Sequence, residues 1–341
     1  MKIDKKLKKI GIEEKQELTK EEKESVILKV TDLLINAFPI LVQEKSNIIT
    51  KLNQTNMHYA KIQKNLSNVN YIYENGKIYF SEDININNIT DTIIHEIIHY
   101  LQDVRKKNGK LGKIGLCNFN ELSIKGLGMN EAGVQYISSK GIGKEQTTIK
   151  KYNLILKTIS PTYYPIITNL IEQIISLIGE DELVMAIIKN DSKFSDTFFN
   201  TFEGNGQSII NNFDNIIQLN NESKNEKNKE EITSLYIETQ DIIMKTYFEK
   251  TFKLIETEDD VNELSEKLNK YVTIAGKVER NGYTYNNCEI FKSYMANKLD
   301  KKMINLCKSK NKTALAIVYG GRINRIIQKI RSYFWGDLPK T

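Results

Sequence analysis

Residues 91–103, DTIIHEIIHYLQD, contain a His-Glu-x-x-His pattern formed by His95, Glu96 and His99. Residues four apart on a helix lie on the same face, so the two imidazoles can bind one metal ion. Glu96 lies beside them and can accept a proton from a water molecule that the ion activates. The chain has only three histidines, and two of them occupy this pattern. This favours a metal centre over the alternative of two unrelated histidines on a surface helix.

The residues around the pattern predict a helix that buries one side. Thr90 or Asp91 can cap its start, and Asn108-Gly109 is a good C-terminal stop. Apolar residues recur at helical spacing and would place the histidines at the margin of the buried face. These residues are Ile94, Ile97, Ile98 and Leu101.

A metal site with two histidines needs a third protein ligand, and a downstream carboxylate is the expected choice. Asp103 follows His99 by one turn of the same helix, which is too close to complete a tetrahedron from another direction. Glu121 falls in a predicted loop. Glu131 opens a second helix in GLGMNEAGVQYISSK (126–140), and a helix is a rigid support for a ligand. Glu131 is therefore the favoured third ligand, with Glu121 as the alternative.

The surrounding sequence predicts an α+β protein. A capping box from Thr19 to Glu22 opens an N-terminal helix, and Asn75-Gly76 joins two alternating runs into a hairpin. A polar run, LNNESKNEKNKEE (219–231), predicts an exposed linker. The pattern beyond it predicts helices over about 231–256, 259–272, 286–309 and 313–334. We interpret the chain as three parts: an N-terminal helical segment (1–55), a catalytic domain with a small sheet (56–218) and a helical C-terminal region (219–341).

The amino-acid composition indicates the general class of protein to which the chain belongs. The 341 residues are 40% hydrophobic and 27% charged, as in a globular protein with a sizeable core. The three cysteines form no CxxC pair, which is typical of a reducing compartment. No signal peptide and no membrane span are expected, so a cytoplasmic location is predicted. The net charge of +6 is spread over many lysines without a basic-aromatic module or a helix-turn-helix pattern, which makes a nucleic-acid partner the least favoured alternative.

HEIIHYLQD followed by NEAGVQY resembles the gluzincins, the thermolysin-like branch of the zinc metallopeptidases. The resemblance covers roughly residues 70–190, and its specific part is confined to these two motifs. It implies a zincin-like catalytic subdomain, in which a small sheet accompanies the HExxH helix. His95, His99 and Glu131 would then be ligands of Zn²⁺, and Glu96 would be the general base.

The resemblance also implies roles around the ligands. Asp103 matches an aspartate that orients a ligand histidine, and Asn130 matches the asparagine before the ligand glutamate. Gln135 departs from the pattern, because thermolysin has an aspartate there. The segment KIYFSED (77–83) matches the edge strand that binds an extended peptide. Tyr163 and Tyr164 are the candidates for stabilising the oxyanion; Tyr136 is a weaker one, because its position relative to Glu131 points it elsewhere.

The expected function is therefore that of a zinc metallopeptidase, an endopeptidase acting on a peptide or protein substrate. The alternative is a binding or regulatory protein that keeps a zincin fold without turnover. Glu96 argues against this alternative, because metal binding alone requires no general base.

Overall fold

A computed structural model describes residues 2–105, 111–119, 124–222 and 225–310. Helices and several small β-sheets alternate along the chain, which confirms the predicted α+β class. No helix within these ranges is both long enough and apolar enough to cross a membrane.

The N-terminal elements are helix α1 (Lys2–Ile10), strand β1 (Ile12–Glu17), helix α2 (Lys20–Ala37), a 3-10 helix (Pro39–Glu44) and helix α3 (Lys45–Asn53). The predicted capping box is present, because the Glu22 amide donates to the Thr19 hydroxyl and the Thr19 amide donates to Glu22. Strand β1 was missed, since IEEKQE is too polar to suggest a strand. It pairs with the next strand along the chain, so the N-terminal segment is not purely helical and belongs to the first sheet.

That sheet contains β2 (Asn56–Ile62), β3 (Val69–Ile72) and β4 (Lys77–Ser81) in the order β1-β2-β4-β3. The predicted hairpin joins β3 and β4, and Gly76 adopts the left-handed conformation (φ 68°) that its turn requires. Strand β4 runs parallel to β2 on its other side. The expectation that residues 77–83 form an edge strand is therefore wrong. The edge beside the histidine helix is β3.

The histidine helix, α4 (Asp91–Gln102), starts at the predicted Thr90 cap but ends six residues before Asn108. Asp103 turns into an extended conformation and begins β5 (Asp103–Arg105), which pairs with β6 (Leu111–Ile114). The helix therefore ends earlier than predicted because Asp103–Arg105 pair with the nearby strand β6; the predicted stop at Asn108-Gly109 lies outside the described residues.

Short strands β7 (Asn118–Phe119) and β8 (Ile124–Lys125) lead to α5 (Leu127–Gly141), which begins three residues before the predicted start at Asn130. A second sheet and four helices follow along the chain. They are β9 (Thr147–Lys151), β10 (Leu154–Thr158), α6 (Pro165–Ile178), α7 (Glu180–Lys189), α8 (Lys193–Thr201) and α9 (Gly206–Asn221).

The C-terminal elements are α10 (Glu226–Lys253), α11 (Glu258–Ile274), β11 (Lys277–Arg280), β12 (Tyr283–Tyr285) and α12 (Asn287–Lys310). The first three predicted C-terminal helices are confirmed, and the one over 313–334 lies outside the described residues. The polar run 219–231 is mostly the end of α9 and the start of α10 rather than a linker.

One hydrophobic cluster extends from Leu18 to Met303 and crosses both predicted boundaries, near residues 55 and 218. A buried polar network also joins α6 to the C-terminal helices. In it the Gln173 amide donates to Tyr236 and to Gln240, and the Tyr271 hydroxyl donates to Gln173. These buried side chains bond to one another and also to Asn169 and the Gly276 backbone, so the C-terminal helices pack as part of the same core.

A buried carboxyl on α6 makes the core sensitive to pH. The Glu172 side chain accepts a hydrogen bond from the Ile159 amide through one oxygen, and its other oxygen has no hydrogen-bond partner among the described residues. Burial raises the pKa of Glu172 to about 8, and the Ile159 amide and the charge of Lys157 only partly oppose this effect.

We expect the Glu172→Gln variant to gain stability relative to wild type as the pH rises. Above the ordinary pKa near 4.5 the unfolded chain ionises Glu172, whereas the folded protein keeps the proton until about pH 8. The wild type therefore loses stability over this interval, and the variant does not. The difference in unfolding free energy should grow by on the order of 2–4 kcal/mol between pH 5 and 8, measured by urea denaturation of both proteins. A difference independent of pH would contradict the assignment.

Candidate metal centre

Helices α4 and α5 bring His95, His99 and Glu131 to one point. The Nε2 atoms of the two histidines are 3.0 Å apart, and Glu131 oxygens lie 3.3 Å from His95 Nε2 and 3.4 Å from His99 Nε2. Ligand atoms placed tetrahedrally at roughly 2.0–2.1 Å from an ion are separated by roughly 3.3 Å. The three side chains therefore have the spacing of a metal site without any rearrangement.

The orientation of the imidazoles also fits a bound cation. His95 Nδ1 lies 3.1 Å from Gln135 Oε1, and His99 Nδ1 lies 3.1 Å from Gln102 Oε1. An amide oxygen can only accept, so both Nδ1 atoms carry the proton when the rings are neutral. Both Nε2 atoms then present lone pairs to each other and to the Glu131 carboxylate. Such an arrangement of acceptors is stable only around a positive charge.

The electrostatics of the buried triad agree with this requirement. Burial alone would lower the pKa of His99, but the neighbouring Glu131 carboxylate raises it to about 9. Burial would likewise raise the pKa of Glu131, and the two histidines hold it well below its ordinary value. The triad therefore favours an ionised Glu131 carboxylate next to a positive charge.

Glu96 lies beside the triad on α4. Its Oε2 accepts a hydrogen bond of 2.7 Å from the Tyr71 amide of the edge strand β3. Burial raises the pKa of Glu96 despite the opposing effects of His95 and His99. A carboxylate with a raised pKa is a better proton acceptor, as a general base requires.

The side chains that hold the histidines differ from those the resemblance implies. Gln135, the departure from the pattern, contacts His95 in the position expected of an orienting residue, and Gln102 does the same for His99. Asn130 contacts Gln102 rather than a histidine: its Oδ1 accepts a hydrogen bond of 2.9 Å from the Gln102 side-chain amide. Gly115 packs so closely here that a Cβ would lie 2.2 Å from the side chains of both Asn130 and Gln102.

Asp103 does not orient a ligand histidine, which corrects the expectation. Because the chain leaves the helix at Asp103, its carboxylate turns towards strand β3 and accepts from the Tyr71 hydroxyl at 2.5 Å and from Arg105 at 2.6 Å. Arg105 also donates to the backbone oxygen of Tyr73. The Asp103–Arg105 pair therefore supports the end of the edge strand that contacts Glu96.

Two tyrosines flank the triad, and only one was expected. The Tyr164 ring lies 6.5 Å from the His95 ring, whereas Tyr163 is 49% exposed and makes no ring contact or hydrogen bond with the triad in the described part of the chain. The Tyr73 ring, at the end of β3, lies 5.9 Å from the His99 ring. Burial raises the pKa of Tyr164 to about 12 and that of Tyr73 higher still, with Glu131 and Glu96 adding to both shifts. Nothing in the local sequence distinguishes Tyr73 from the other tyrosines.

The weaker oxyanion candidate Tyr136, the third histidine of the chain and the alternative ligand Glu121 do not join the triad among the described residues. Tyr136 donates to Glu180, so it points away from the triad as expected. His58 lies on β2, where its Nδ1 is 3.3 Å from Glu14. Glu121, the alternative third ligand, lies outside the described residues.

Comparison of the chain with protein-family models, curated proteins and solved structures finds no match. The chemistry of the site therefore rests on its own residues.

Proposed function

We propose that this protein is a zinc-dependent peptidase of the gluzincin type. The observation that carries the proposal is the convergence of His95, His99 and Glu131 beside Glu96. Two imidazole nitrogens and a carboxylate form a donor set that suits zinc and leaves a fourth position for water or substrate. When bound, zinc would supply the Lewis acidity that polarises a carbonyl and acidifies water.

The protein's own groups account for the remaining chemistry. Glu96, held by the Tyr71 amide, is placed to accept a proton from the attacking water and to pass it to the leaving amine. Strand β3 is the sheet edge nearest to Glu96, and an extended peptide can add to such an edge through main-chain hydrogen bonds. The hydroxyls of Tyr73 and Tyr164 have no protein partner among the described residues, so each can donate to a developing oxyanion.

The test is metal analysis of protein purified without added metal, combined with a cleavage assay on a broad peptide library. We expect about one zinc per chain and cleavage that stops when a chelator removes it. Stoichiometric zinc without cleavage of any peptide would contradict the peptidase and favour a zinc-binding protein without turnover.

Loss of the Gln102 or Gln135 side chain should weaken zinc binding, whereas substitution of Asp103 should leave the zinc affinity unchanged. Because Gln102 and Gln135 fix the tautomer of the ligand histidines, the Gln102→Ala and Gln135→Ala variants should each bind zinc about 10–100-fold more weakly. The Asp103→Asn variant should bind it as tightly as wild type, since Asp103 contacts neither histidine. Competition with a chromophoric chelator measures the three affinities. If only the Asp103→Asn variant bound zinc more weakly, Asp103 would have the role that the resemblance implies, which is to orient a ligand histidine.

Removal of the oxyanion donor should lower turnover while leaving zinc in place. We expect Tyr164→Phe or Tyr73→Phe to reduce kcat by about 10²–10³-fold, as when one oxyanion hydrogen bond is lost. Tyr163→Phe is the matched control, because Tyr163 is exposed and, unlike Tyr164, makes no ring contact with the triad among the described residues. Steady-state kinetics on one peptide, with zinc content measured in parallel, test this. An unchanged kcat in both Tyr73→Phe and Tyr164→Phe would show that neither tyrosine stabilises the oxyanion.

A further inference from the structure

The open edge of β3 is defined by the alternation of its backbone groups. Strand β3 is the last strand of its sheet, and alternate residues of an antiparallel strand direct their backbone N–H and C=O groups towards the partner strand. The Ser81 amide donates to the Asn68 carbonyl oxygen, so the even-numbered residues along this strand face β4. The backbone groups of Tyr71 and Tyr73 therefore face the open edge.

Two side chains of the protein already bind these outward groups. The Tyr71 amide donates to Glu96 Oε2 at 2.7 Å, and Arg105 Nη2 donates to the Tyr73 carbonyl oxygen at 2.5 Å. A peptide that adds to β3 as a further strand bonds to the same outward groups. At Tyr73 it must therefore compete with a guanidinium group.

Arg105 is held firmly at this position and can still leave it. Its Nη2 also donates to Asp103 Oδ2 at 2.6 Å, and a Cβ at Gly76, in the turn after β3, would lie 3.5 Å from the same nitrogen. Hydrogen bonds from a charged donor are stronger than neutral ones, so a peptide amide displaces Arg105 less easily than it displaces water. The Arg105 side chain is 35% exposed, which gives it an open path into solvent.

We propose that Arg105 is a latch that closes the edge of β3 at rest and is displaced by the backbone of a bound peptide. A substrate N–H then replaces the guanidinium at the Tyr73 carbonyl oxygen. The inference rests on the peptidase proposed above and adds a regulation of substrate entry to it. An extended peptide with a free amide at this position opens the latch. A proline at the same position, which has no N–H, does not.

Removal of the latch should strengthen peptide binding without changing the chemistry. If the edge is open in about one molecule in ten, Arg105→Ala should lower KM about tenfold while kcat and zinc content stay the same. Because this change leaves the Asp103 carboxylate without its cation, the double variant Arg105→Ala/Asp103→Asn is measured too, and it should show the same fall in KM. Arg280→Ala is the matched control, since Arg280 is an exposed arginine on β11 of the second sheet, and its KM should equal that of wild type.

Peptides methylated at one backbone nitrogen at a time identify the contact. In Arg105→Ala, one methylated peptide should lose the tenfold gain, because it lacks the N–H that bonds to Tyr73, and the other methylated peptides should keep the gain. A general loosening of the structure would affect all of these peptides alike.

Two results would overturn the latch and leave the peptidase standing. One is a KM that is unchanged or raised in both Arg105→Ala and the double variant, and the other is a gain of equal size for every methylated peptide. Failure of zinc-loaded wild type to cleave any peptide would instead overturn the peptidase, and the role of the latch with it.

Discussion

The Glu96→Gln variant should keep its fold and its zinc and lose about 10²–10⁴-fold in kcat, the usual contribution of a general base. Glutamine is nearly the same size as glutamate and retains an oxygen that can accept the Tyr71 amide hydrogen bond seen at Glu96. It cannot accept a proton from water at neutral pH. The change therefore removes the proton transfer and leaves the surroundings of Glu96 in place. Steady-state kinetics together with zinc analysis measure both effects.

Glu180→Gln is the matched control for this substitution. Glu180 bonds to Tyr136 and Lys140 and does not belong to the triad, so its variant should cleave at the wild-type rate. Wild-type activity in Glu96→Gln would remove Glu96 from the mechanism. Zinc binding that is equal in both proteins, without cleavage by either, would favour a non-catalytic zinc protein.

Substitution of a metal ligand should abolish stoichiometric zinc binding. Each of His95→Ala, His99→Ala and Glu131→Ala leaves two protein ligands, so we expect zinc content to fall from about one per chain to near zero, and cleavage with it. Inductively coupled plasma mass spectrometry of the dialysed proteins measures the content. Zinc should also raise the unfolding temperature of wild type and not that of these variants.

The third histidine provides the control for this loss. His58, on β2, pairs with Glu14 of β1 and does not belong to the triad, so His58→Ala should retain zinc. Full zinc occupancy in Glu131→Ala would show that Glu131 is not a ligand, and Glu121 would then be the next carboxylate to substitute.

Features that depend on residues near one another in sequence could be predicted without a structure. The spacing of His95 and His99 on a helix, the Thr19 capping box and the Asn75-Gly76 turn are each set within a few residues, where helix periodicity and turn geometry act. Glu131 could be singled out because a carboxylate on a predicted downstream helix is a suitable third ligand. The structure places its carboxylate 3.3 Å from His95.

Strand pairing and the packing of helices and strands decided features that the periodicity of the sequence did not predict. Helix α4 ends at Gln102 because the following residues pair with β6, and this pairing turns Asp103 away from the histidines. Gln135 reaches His95 only because α5 packs against α4 in one particular rotation. Tyr73 lies beside His99 because β3, rather than β4, occupies the edge of the sheet.

The boundaries between parts of the chain also required the tertiary structure. The polar run after Leu219 indicates exposure, and exposure is compatible either with a linker or with the outer face of two helix ends. Burial of Gln173 against Tyr236 and Gln240 shows that the helices beyond this run pack into the main core. The sequence by itself indicated which four residues could bind a metal ion and accept a proton, because residue type and helical spacing are local properties. Only the tertiary structure decided which side chains orient them, because Gln135 comes from another helix and Gln102, although three residues from His99, is bonded to Asn130 of that helix.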